Sequence, residues 1–140
     1  MLIDWISIFK LLLSALIAAV IGYDREKSNK AAGIRTNVIV SIISCLIMIL
    51  SLEVSQDSLK FGLNGDPARL AAQVISGIGF LGAGTIIKHK DKIEGLTTAA
   101  SLWGVAGLGL AIGYGLYDIS IAASLVIVFS LKISPSIKNK

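Results

Sequence analysis

The stretch from Asp66 to Ile87, DPARLAAQVISGIGFLGAGTII, limits the folds open to this chain more than any other. It is apolar enough to cross a bilayer, yet Arg69 and Gln73 stand in its first turns and Gly77, Gly79, Gly82 and Gly84 in its second half. A cation and an amide are costly in hydrocarbon unless they face protein or water. Glycine in a membrane helix marks the close approach of another backbone. At about 100° per residue, Arg69, Gln73, Ser76, Gly77, Phe80 and Gly84 share one face, while Gly79 and Gly82 fall on another. The expectation is a helix in the middle of a bundle.

Composition supports a membrane setting. Of 140 residues, 54% are hydrophobic and only 16% charged, where soluble domains carry about 25%. Five apolar segments, about 3–22, 36–53, 68–87, 96–116 and 117–133, each come near the roughly 20 residues a helix needs to cross a bilayer. The fold class is therefore all-α, a polytopic transmembrane helix bundle of five spans forming one domain over 1–140. The YGLYD turn around Asp118 leaves a re-entrant pair as the lesser alternative for the last two segments. The first segment has Asp4 near its start and no basic n-region, so it reads as retained rather than as a cleaved signal. Its Ser14, Ala18 and Gly22 give one face of small residues.

Ten of the 13 lysines and arginines fall on one side: Arg25, Lys27, Lys30 and Arg35 in the first loop, Lys88, Lys90 and Lys92 in the third, and Lys132, Lys138 and Lys140 in the tail. The positive-inside rule makes that side cytoplasmic, with the N-terminus outside. The same rule accounts for the basic loops without nucleic acid. A multi-pass membrane protein with these loops on the cytoplasmic side is the expectation.

Asp66-Pro67 reads as a helix start, Asp66 as cap, and Arg69 is expected to pair with Asp66 one turn away. In the fourth segment Thr97, Ala100, Ser101, Gly104, Gly107, Ala111 and Gly115 form one small stripe, and Gly109 and Gly113 a GxxxG on another side. Gly77, Gly79, Gly82, Gly84, Gly104, Gly107, Gly109 and Gly113 are thus the helix-packing candidates. The literal GxGxxG at 77–82 lies inside an apolar span, and Asp91 and Glu94 follow too closely for a dinucleotide fold. His89 is the sole histidine and Cys45 the sole cysteine, so no metal cluster or nucleophile–base pair emerges. This is not the sequence of an enzyme. A Mg²⁺ ion wants several oxygen ligands; Glu53, Asp57 and Asp66 offer some, but Arg69 beside them opposes a cation.

Three runs, GYDREKSNKAAGIRT, DPARLAAQVISGIGFLGAGTII and EGLTTAASLWGVAGLGLAIGYGLY, together resemble the MgtC/SapB family of bacterial membrane proteins. The family's motif positions correspond to Asp24, Arg25, Glu26, Gly33, Arg35 and Thr36 in the first loop. In the third segment they are Asp66, Pro67, Arg69, Gln73, Gly77, Gly79, Phe80, Gly82 and Gly84, and in the fourth Gly95, Leu96, Thr97, Thr98, Ala99, Ala100 and Trp103. The resemblance implies a membrane protein tied to growth in low magnesium and to control of membrane potential and ATP level, through partners such as ATP synthase and without an established catalytic activity. Many members continue into a C-terminal cytoplasmic domain; ending at Lys140, this chain resembles the short form.

Two functions follow. One is a non-enzymatic regulator that binds other membrane proteins, or a second copy of itself as a dimer, through glycine stripes such as Gly109 and Gly113. The alternative is a transporter or channel for Mg²⁺ or a monovalent cation, using a polar face of Asp66, Arg69, Gln73, Thr97, Thr98 and Ser101.

Overall fold

A computed structural model describes residues 4–90 and 92–133. Five helices form the bundle: α1 (Trp5–Lys27), α2 (Ile34–Lys60), α3 (Arg69–Ala83), α4 (Leu96–Tyr114) and α5 (Tyr117–Lys132). α1, α2 and α4 are long and apolar enough to cross a membrane. α3 and α5 have 15 and 16 residues, so each is about 22–24 Å long at 1.5 Å per residue. The expected segments thus all appear as helices, α3 well short of the apolar run that announced it.

Local chemistry sets the ends. The Asp4 carboxylate caps α1, accepting from the Ile6 N–H at 3.1 Å and from the Ser7 hydroxyl. Asp66 Oδ1 accepts from the Ala68 N–H at 2.9 Å, just ahead of α3. α4 stops at Gly115, whose φ of 109° only glycine adopts readily; the Gly115 and Leu116 N–H groups then turn back to the Ala111 carbonyl. Between α3 and α4 the chain forms a short antiparallel hairpin, β1 (Ile87–His89) with β2 (Lys92–Glu94), pairing Ile87 with Glu94 and His89 with Lys92. This hairpin stands where the sequence suggested only a loop.

The helix at the centre is α4, not α3. α4 packs against all four other helices, whereas α3 packs mainly against α2 and α4. The core gathers Ala18 and Ile21 of α1 with Val105 and Leu108 of α4, flanked by Val38, Val40, Ile127 and Leu131. α3 buries only Ile78 and Gly82, and Phe80 is 85% exposed. The reason lies in where a missing side chain is used. A Cβ on Gly113 would stand 2.6 Å from the Cys45 carbonyl oxygen, and one on Gly109 would overlap the Ser41 carbonyl, so these two glycines bring the α2 backbone against α4. A Cβ on Gly77 or Gly79 would meet nothing within 4 Å. The Gly109–Gly113 face is therefore filled by α2 and is not a surface for a second copy or a partner.

Candidate functional site

The polar residues of interest divide between the two ends of the bundle, because consecutive helices run in opposite directions. The end with the first loop and the hairpin carries Asp24, Arg25, Glu26, Arg35, Thr36, Thr97, Thr98 and Ser101. The opposite end carries Asp66 and Arg69, with Gln73 one turn further along α3. The polar face anticipated from Asp66, Arg69, Gln73, Thr97, Thr98 and Ser101 is therefore not one surface. Antiparallel α3 and α4 hold their first turns far apart.

At the basic end, Arg25 is 5% exposed, and its Nη2 donates to Thr98 Oγ1 at 2.6 Å, tying the last turns of α1 to the first turn of α4. Glu26 Oε2 accepts from the Ile34 N–H at 3.0 Å and so caps α2 in place of a side chain of its own. A Cβ on Gly33 would come within 2.6 Å of that same oxygen, which accounts for glycine there. Asn37 Nδ2 donates to the carbonyls of Ala32 and Gly33 at 2.6 and 2.9 Å, closing the loop from the α2 side. Arg25 and Glu26 are thus integral to the fold of this end, whereas Arg35 and Thr36 are exposed and Asp24 is half-buried. Thr98 and Ser101 are buried and Thr97 is exposed.

At the other end the segment before α3 folds back along α2. Ser51 Oγ donates to the Pro67 carbonyl at 2.6 Å, and a Cβ on Gly65 would strike the Ser55 backbone at 2.6 Å. This leaves a cleft of about 580 Å³ lined by Ser55, Ser58, Asn64, Asp66 and Arg69 among others. The expected Asp66–Arg69 ion pair does not form: the Asp66 carboxylate is turned onto the Ala68 N–H. The one ion pair among the described residues joins Lys60 to Asp57 at 2.7 Å. Arg69, Gln73 and Gly77 lie on the exposed face of α3 together with Phe80. Among the described residues, no three His, Cys, Asp or Glu side chains come together as a metal site.

Of the other packing candidates, Gly82 lies against Ala99, 3.5 Å from where its Cβ would be, and Gly104 against Ile127 at 3.4 Å. Gly107 faces open space, and Gly84 meets only carbonyls of its own turn.

Two polar features of the interior escaped the sequence reading. Asn37, Ser41, Ser44 and Ser51 form a buried row on α2, with Asn37 Oδ1 and Ser41 Oγ lacking partners. Their spacing of three, four and seven residues was the available signal. Lys10, inside the first apolar run, sends its Nζ to the Gly113 carbonyl at 2.9 Å.

These positions belong to a wider set of proteins. Residues 11–140 match the model of the MgtC family. Protein SapB of Bacillus subtilis is 42% identical over 146 residues, spanning 100% of this chain and 63% of SapB. The Escherichia coli K12 protein named "Putative magnesium transporter YhiD" is 41% identical, over 90% of this chain and 59% of its own. Protein MgtC of Salmonella typhimurium LT2 is 40% identical, over 86% of this chain and 49% of its own. The chain thus spans between about half and two thirds of the length of these curated relatives. No solved structure gives a significant match. With the family model covering nearly the whole sequence and the relatives aligned across most of it, the chain belongs to the MgtC family.

Proposed function

We propose that this MgtC-family protein is a regulator in the bacterial inner membrane that works by lateral contact rather than by catalysis, with the outward face of α3 as its contact surface. One observation carries this reading: Arg69, Gln73, Gly77 and Phe80 share that face and none is covered by the rest of the chain. An amide such as Gln73 facing hydrocarbon is costly, and a bare glycine next to it lets another backbone approach. A second copy or another membrane protein seated there would remove the cost. By likeness to the family, such contact would serve adaptation to low magnesium and the control of membrane potential and ATP level, with ATP synthase among the partners. The basic end of the bundle faces the cytoplasm on this reading, following its lysines and arginines.

The name of YhiD supports a second reading, transport of Mg²⁺, and so does the cleft that Asp66 and Asn64 line. Hard cations bind oxygen ligands of this kind. The two readings separate in one pair of experiments. A Cβ on Gly77 meets no atom within 4 Å; with helicity retained by circular dichroism, Gly77→Leu should lower self-association, followed by in-membrane crosslinking, at least severalfold. Unchanged crosslinking by Gly77→Leu and by Gln73→Leu would remove α3 as the contact surface. Mg²⁺ flux into proteoliposomes, abolished by Asp66→Ala with Gln73→Ala, would replace the regulatory reading with transport.

A further inference from the structure

A cavity of about 720 Å³ opens at the basic end, between the last turns of α1, the strand β2, the start of α4 and the end of α5. Its polar lining is Arg25, Lys30, Thr97, Thr98 and Ser130 with no acidic residue, Asp24 standing next to Arg25 in the chain. Three sources of positive potential meet there. Arg25 is almost wholly buried and donates one hydrogen bond to Thr98, while its Nε is buried with no partner. No carboxylate among the described residues lies within 4.0 Å of it. Lys30 adds a second cation from the loop. The 19-residue helix α4 begins at Leu96 after Gly95, which offers no side chain to cap it, and this uncapped start with the positive end of the helix dipole lines the same space.

We infer that this cavity is a binding site for a phosphate group, held by Arg25, Lys30 and the uncapped first turn of α4. A tetrahedral oxyanion has enough acceptor oxygens to meet the guanidinium fork, the helix N–H groups and the hydroxyls of Thr97 and Ser130 together. The phosphate can come from a membrane lipid or from solution. An apolar groove of about 260 Å³ between α4 and α5 shares Thr97, Ser130 and Leu131 with the cavity and continues along Gly104, Val126 and Ile127. That groove runs along the helices, as an acyl chain attached to the phosphate would. The inference is independent of the contact surface on α3, which lies on a different helix.

The test uses the full chain, delipidated in detergent, with native mass spectrometry and microscale thermophoresis as readouts. The probes are dioleoylphosphatidylglycerol, dioleoylglycerol (the same chains without phosphate) and inorganic phosphate. Phosphatidylglycerol should bind and dioleoylglycerol should not. Saturation by inorganic phosphate alone assigns the site to a soluble anion, and its failure to compete with phosphatidylglycerol assigns it to lipid. Lys30→Gln should weaken phosphate-dependent binding about fivefold, whereas Lys27→Gln, which removes an equal charge from outside the cavity, should leave it unchanged. Arg25→Gln should abolish binding where helicity is retained; if that variant does not fold, the Lys30 and Lys27 pair still decides. Equal weakening by both lysine variants, or equal binding of both lipids with no response to inorganic phosphate, would overturn the site.

Discussion

Glycine in this chain has two opposite uses, visible residue by residue. Gly113 has the Cys45 carbonyl and the Met48 Cβ within 2.8 Å of where its own Cβ would stand, whereas Gly77 has open space. Gly113→Ala should therefore destabilise the fold by about 1–3 kcal/mol through overpacking. Gly77→Ala should stay within about 1 kcal/mol of the parent, gaining slightly from helix propensity. Unfolding in mixed micelles would measure both. The sequence distinguished these glycines by helical face but not by occupancy, because a helical wheel shows which residues look the same way and not what stands opposite. The same limit explains Arg69. Its spacing from Asp66 suits an ion pair, yet the carboxylate was already engaged by the Ala68 N–H, a competition that residue spacing does not express. The contact of Arg25 with Thr98 joins positions 73 residues apart, and nothing in a single sequence points to that partner.

Among the elements, the five helices were legible because each apolar run is long and bounded by charged or turn residues. The hairpin was not. Its strands have three residues each, none of them buried, too short for an alternating pattern to stand out. What secures it is Gly95, at φ 90°, which lets the chain pass against the Thr85 carbonyl, where a Cβ would overlap. Gly95→Ala should disorder the β1–β2 hairpin and loosen the start of α4 while leaving α1 and α2 intact. Hydrogen exchange would show this as lost protection confined to residues near 85–98. Uniform loss across all helices would mean that the hairpin is coupled to the whole fold.

On the scale of the whole molecule, α4 is the axis and α3 is a flank, which moves the polar stripe of α3 from the interior to the surface. The helices also differ in reach. α2 has 27 residues and α3 has 15, about 40 Å against about 22 Å, and the segment after α2 doubles back to Ser51 before α3 begins. The last turns of α2 carry Glu53, Asp57 and Lys60 and stand clear of the apolar belt, whose low side is set by α3. A bilayer must thin to meet the low side, at a cost of fractions of a kcal/mol per Å. Pairing two low sides would hide the mismatch from lipid, so self-association in vesicles should strengthen as acyl chains lengthen from 14 to about 20 carbons, as energy transfer between labelled copies would report. On the proposed contact through α3, a short helix on one flank would make the thickness of the surrounding membrane a variable in how two copies pair.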